Sequence, residues 1–245
     1  MAQAFSAAGG SGALGGRFRM FHHTLLVASA VLMAVTLYLV FFWVPTEANL
    51  GVSQRIFYFH VPLGIIGLIS IVIVAIASAM YLLRQDKRWD DLAHATAELG
   101  MVFATLILVT GAIWAKPVWG VWWTWDPKLT TTLILWFIYA SYLMLRAYGP
   151  KGIQQARYAA VIALIGAIDA PIIYYVTEIW RNAHPDLVIG PLAESDALES
   201  RMTTALLVSM ITFLVLFAYI VTERYSLRRS ESSLDELHQA ASVGR

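Results

Sequence analysis

The chain has 245 residues, 59% of them hydrophobic and 13% charged, with a mean hydropathy of +0.65. Soluble globular domains run about 45–50% apolar and about 25% charged, so a water-soluble fold is excluded; disorder and coiled coil are excluded too, because the apolar residues come in long unbroken blocks. A formal net charge of +1 offers no global field for nucleic acid, and the absence of cysteine excludes disulfides, thiolate metal sites, iron–sulfur clusters and covalent C-x-x-C-H haem attachment.

A spanning helix needs roughly 20 mostly apolar residues to cross about 30 Å of hydrocarbon. The first sixteen residues, rich in Gly, Ala and Ser, read as a flexible tail, and the expected N-terminal tail is 1–23. Six apolar stretches follow, at 24–44, 61–83, 95–115, 129–145, 158–177 and 203–221. The first is too long for a signal-peptide core and has no obvious cleavage site, so it is expected to remain. Backbone groups inside lipid must bond within their own segment, and strand-like alternation is lacking, so all six are helices. The expected fold class is therefore an all-α membrane protein, a bundle of six transmembrane helices over 24–222 with a C-terminal tail at 223–245. No soluble domain and no internal repeat is visible.

Orientation follows from the flanking cations. Arg17, Arg19, Arg84, Lys87, Arg88, Arg146, Lys151, Arg157, Arg224, Arg228, Arg229 and Arg245 fall on one side, twelve of the 17 Lys and Arg residues. The other side holds Arg55, Lys116, Lys128, Arg181 and Arg201. The positive-inside rule then places both termini in the cytoplasm and the connections 45–60, 116–128 and 178–202 outside.

The nine tryptophans gather on that outer side. Trp43, Trp114, Trp119, Trp122, Trp123, Trp125 and Trp180 lie at or beyond its interface, against Trp89 at the inner one and Trp136 within the fourth span. An aromatic belt would populate both interfaces, and it would not put five tryptophans into residues 114–125. Exposing a large aromatic to water forfeits roughly 1.5–3 kcal/mol, so this loop needs an apolar surface, supplied by lipid or by a flat aromatic ligand. His22, His23, His94 and His238 fall on the cytoplasmic side or in the tail and read as solvated. His60, at the start of the second span in Phe57-Tyr58-Phe59-His60-Val61-Pro62, and His184, in Trp180-Arg181-Asn182-Ala183-His184-Pro185, share the tryptophan-rich face. Either taken singly reads as a polar anchor. Together they suit haem, whose iron takes neutral imidazole and whose propionates need cations such as Arg55, Lys128 and Arg181. Asp126 reads as holding its own loop, by capping the fourth span or by pairing with a nearby cation, rather than as an iron ligand. Asp169, in Ala167-Ile168-Asp169-Ala170-Pro171, is a carboxylate within the fifth span, read either as protonated or bonded to carbonyls freed near Pro171 or as a candidate for partner-helix contact or gating.

The run Trp119-Gly120-Val121-Trp122-Trp123-Thr124-Trp125-Asp126 matches W-G-x-x-W-x-W-D, the tryptophan-rich signature of haem-handling proteins of cytochrome c maturation. With six spans, a histidine before the second and another before the sixth, the chain resembles the haem exporter protein C (CcmC) family over about residues 20–225. That resemblance implies a bacterial inner-membrane protein that binds haem b non-covalently on its periplasmic face. It further implies an ABC transporter pair (the CcmA and CcmB families), a small single-span subunit (the CcmD family) and delivery of haem to a periplasmic chaperone of the CcmE family. His60 and His184 match the axial ligands of the iron, and Trp119, Trp123, Trp125 and Asp126 match signature positions. Trp114 and Trp122 extend the same shelf. Lys128 departs from the family's usual arginine, keeping the charge and losing the bidentate fork. With no nucleophile–base pair and no nucleotide motif, the chain reads as a haem-handling subunit rather than a stand-alone enzyme, although assisting the chaperone's covalent haem bond borders on catalysis. A b-type electron-transfer subunit is the alternative, but it would bury its histidines deeper between helices. A transporter acting alone would want an inverted repeat.

Overall fold

The computed structural model describes residues 2–150, 152–180 and 198–243. Helix α1 runs from Ala2 to Tyr38 and continues as a π-helical turn, Leu39–Trp43. A 3₁₀ turn, Val52–Ile56, leads into α2 (Phe57–Arg84), followed by α3 (Lys87–Trp119), α4 (Pro127–Tyr148), α5 (Ile153–Ile179) and α6 (Ser200–Val243). Six helical segments are long and apolar enough to cross a membrane, one for each span expected from the sequence. The chain is an all-α membrane protein.

Helix ends are set by local chemistry. A two-residue turn joins α2 to α3: Gln85 takes the left-handed conformation (φ 53°), and Asp86 accepts the Arg88 amide as N-cap. Pro127 starts α4 at its first position, where a missing N–H costs nothing. At the far end of α4, Gln155 Nε2 reaches the carbonyls of Leu145, Arg146 and Gly149 at 2.9–3.1 Å, satisfying acceptors the helix leaves open.

Helices α2 and α3 form the central hairpin, with α1 and α6 paired on one flank and α4 and α5 on the other. Glycine brings the central pair close. A Cβ at Gly64 would lie 2.7 Å from Ile107 Cδ1, and one at Gly100 would lie 2.5 Å from Ser70 Oγ. In lipid, where apolar burial gives little drive between helices, such close approach provides the dispersion contact that holds them. The α1–α6 flank is pinned instead by a buried hydroxyl pair, Thr36 Oγ1 to Thr212 Oγ1 at 2.7 Å.

The helices run past the expected spans at both ends, and two histidines differ from their reading. Over residues 1–23, expected as a tail, α1 begins at Ala2. The C-terminal tail at 223–245 continues α6 to Val243 and packs back on α3. Arg224 and Arg228 both pair with Glu98, Ser232 donates to Asp91 at 2.8 Å, and Lys87 bonds Ser232. His22 and His94 are not solvated. His22 is buried and meets Glu223 at 2.5 Å, while His94 is buried beside Arg146, which forms a two-pronged pair with Asp90 at 2.8 and 2.9 Å. Lying at span ends, these charges look solvated in sequence, but here they satisfy one another across α3, α4 and α6.

Candidate functional site

The end of the bundle opposite that charged network carries the predicted site. Helix α2 begins at Phe57, one turn earlier than the apolar run implies, because Phe57 and Tyr58 are buried against Val40, Val44, Met202, Ala205 and Leu206. His60 is therefore a helical residue of α2 rather than the last residue of a loop, and Pro62 sits in the second turn. The His60 ring faces α3. Its Nδ1 lies 2.8 Å from Thr110 Oγ1, and its plane meets the Trp114 ring edge-on with centroids 5.8 Å apart. Phe57 packs on the other side of Trp114 at 6.1 Å. Gly111 makes room for the imidazole, since a Cβ there would lie 3.1 Å from His60 Cε1.

The tryptophan-rich loop is shorter than the 116–128 connection of the sequence. Helix α3 carries on through Pro117 to Trp119 and stops at Gly120, whose φ of 77° suits glycine and whose N–H closes onto the Lys116 carbonyl. Lys116 Nζ in turn donates to the Gly120 carbonyl at 2.8 Å and lies over the Trp122 ring. At the other end of the loop Asp126 is the cap the sequence suggested. Its Oδ1 accepts the amides of Lys128 (2.9 Å) and Leu129 (3.0 Å), and its Oδ2 accepts the Thr124 hydroxyl at 2.8 Å. Both carboxylate oxygens are committed to the loop. Between these anchors Trp123 and Trp125 pack edge-to-face, centroids 5.7 Å apart. Trp122 and Trp125 are 59% and 75% exposed, and Trp123 and Trp119 are half-buried. A short, doubly capped loop thus displays indole faces outward on a fixed frame.

From the predicted residues the described contacts make three pairs, His60 with Trp114, Trp123 with Trp125, and Asp126 with the Lys128 amide. Arg55 is directed elsewhere, its guanidinium over Phe41 of the π-helical turn at 5.8 Å. There it rims a cavity of about 750 Å³ lined by Ala34, Leu37, Tyr38, Phe41 and Phe42. Lys128 occupies the first turn of α4 behind the Asp126 cap. His184 and Arg181 lie outside the described residues. Asp169 is 9% exposed in a continuous α5, with one carboxylate oxygen unpartnered among the described residues. The indole N–H groups of Trp114 and Trp123 are buried and meet no acceptor among the described residues. Sequence reasoning missed Thr110 and Gly111. The available signal was their spacing from Trp114, which puts Ile107, Thr110, Gly111 and Trp114 on one stripe of α3.

Comparison with known proteins gives the family. A family model described as Heme exporter protein C matches residues 13–241. The protein of that name from Escherichia coli strain K12 is 34% identical over 201 residues, which cover 82% of this chain and 80% of the relative. The one from Haemophilus influenzae is 35% identical over 184 residues (75% and 74%), and the one from Bradyrhizobium diazoefficiens 32% over 207 residues (84% and 77%). The six-helix chain with its His60–Trp114 contact and capped tryptophan loop belongs to the Heme exporter protein C family, CcmC.

Proposed function

We propose that this protein binds haem b non-covalently at the tryptophan-rich end of its bundle, on the periplasmic side of the inner membrane, and passes it to a periplasmic chaperone of the CcmE family during c-type cytochrome maturation. His60 and His184 would hold the iron by imidazole nitrogen, and the shelf Trp119, Trp122, Trp123 and Trp125 would give the macrocycle its apolar contact. Asp126 holds that shelf without touching the iron. Arg55, Lys128 and Arg181 are the cations for the propionates. The partners are ABC transporter subunits of the CcmA and CcmB families and a single-span CcmD-family subunit, which supply what a chain without a nucleotide motif lacks.

The observation that carries this reading is the imidazole of His60, held against Trp114 at the end of the bundle that displays the indole loop, in a chain whose relatives are named haem exporters. The donor set fits haem. Among the described residues no group of three or more His, Cys, Asp or Glu is poised for a bare metal ion, whereas imidazole nitrogen, flat apolar faces and two unspent indole donors suit iron porphyrin and its carboxylates. When bound, the iron supplies reversible coordination by nitrogen. The chain's own residues orient the ligand, keep its inner face dry and leave an outer edge open toward an approaching chaperone.

The direct assay is haem content of the purified wild type and of a Trp119→Ala/Trp125→Ala double variant. One haem per chain, falling in the variant while His60→Ala loses the native spectrum, is the expected result. Two haems per chain, or turnover with quinol, would favour the electron-transfer alternative.

A further inference from the structure

We infer that Thr110 is a positioning residue that fixes the tautomer of His60, holding the proton on Nδ1 and the lone pair on Nε2; this rests on the reading of His60 as an axial ligand. A threonine hydroxyl has one hydrogen and two lone pairs. Thr110 Oγ1 lies 2.8 Å from the Leu106 carbonyl and 3.3 Å from that of Ile107, its own preceding turn. A carbonyl can only accept, so the hydroxyl hydrogen is spent there. Toward His60 the same oxygen is 2.8 Å from Nδ1, and with its hydrogen committed it can only accept. The Nδ1–H of His60 is therefore the donor, and in the neutral ring the lone pair sits on Nε2, the nitrogen that would coordinate iron.

The ring has little freedom to turn away from this bond. Gly111 presents bare backbone to Cε1, and Trp114 presses its ring edge-on. Three positions on one stripe of α3 thus grip one imidazole of α2. A histidine ligand whose second nitrogen donates to an oxygen is more basic as well as better oriented, and loss of such a partner typically lowers metal affinity about 10–100-fold. Greater basicity also favours the ferric state, so the bond holds the haem potential down.

The test uses the full-length protein in nanodiscs with ¹⁵N-labelled histidine. In the haem-free wild type, His60, assigned by comparison with His60→Ala, is expected to show a protonated pyrrole-type signal at Nδ1 and a pyridine-type signal at Nε2. Thr110→Val should scramble that preference, weaken haem binding about 10-fold or more and raise the midpoint potential, while Thr110→Ser restores all three. Gly111→Ala should weaken binding by displacing the ring with the hydroxyl still present. An Nε2-protonated ring in the wild type overturns the inference, as does a Thr110→Val protein with wild-type affinity and potential. If His60→Ala keeps haem with an unchanged spectrum, the ligand reading fails, and the tautomer is still decided by the haem-free signals.

Discussion

Replacing Asp126 separates two roles that a signature carboxylate could have. Its three accepted hydrogen bonds all belong to the loop, two from the first amides of α4 and one from Thr124. Loss of an N-cap costs about 1 kcal/mol, and loss of the hydroxyl bond adds about another 1 kcal/mol. Asp126→Ala should therefore shift the local opening equilibrium by about 2 kcal/mol, roughly 30-fold. Asparagine caps as well as aspartate, and its amide can still bond the Thr124 oxygen, so Asp126→Asn should cost less than about 0.5 kcal/mol. Hydrogen exchange at the Lys128 and Leu129 amides, together with iodide quenching of tryptophan fluorescence, reads both variants in nanodiscs. Alanine should speed exchange and expose the indoles, and haem content should fall with them, whereas asparagine should resemble the wild type. Equal damage from asparagine and alanine would mean that the negative charge acts on the ligand, and the capping argument would be refuted.

Other outcomes follow from the remaining contacts. Arg146→Met leaves Asp90 buried and unpaired and should destabilise the bundle by about 3–5 kcal/mol, with much of the loss recovered in an Asp90→Leu/Arg146→Met double variant, as thermal unfolding in detergent would show. Glu98→Gln removes the shared partner of Arg224 and Arg228, so protease cleavage within 223–243 should accelerate while the six spans stay intact. Thr36→Val deletes the buried hydroxyl pair between α1 and α6 and should cost about 0.6 kcal/mol, at most about 1.7, in steric-trap or urea unfolding.

The six spans were legible in the sequence because a lipid-embedded backbone must bond to itself, which makes apolar length nearly sufficient to identify a helix. The tryptophan-rich end was legible for a related reason, since so many indoles at one interface need a surface to lie on. Asp126 was legible as a loop-holding carboxylate from its place just before the fourth span. What sequence could not give was partnership across helices. Asp90, His94, Glu98 and Arg146 look like ordinary solvated ends of spans, and only the packing of α3 against α4 and α6 turns them into a buried network. The early start of α2 escaped for the same reason: Phe57 and Tyr58 become helical because the end of the π-helical turn (Val40, Val44) and α6 bury them, a contact between distant segments. Thr110 resembles every other threonine in a span until its hydrogen is traced to Leu106 and its oxygen to His60.

The axial pair is tested most directly by optical and electron paramagnetic resonance spectra of the haem-loaded protein beside its His60→Ala and His184→Ala variants. Two imidazoles on the iron should give a low-spin, six-coordinate ferric signal in the wild type, lost in each single variant with a fall in haem content. Full haem with an unchanged spectrum in both variants would contradict it.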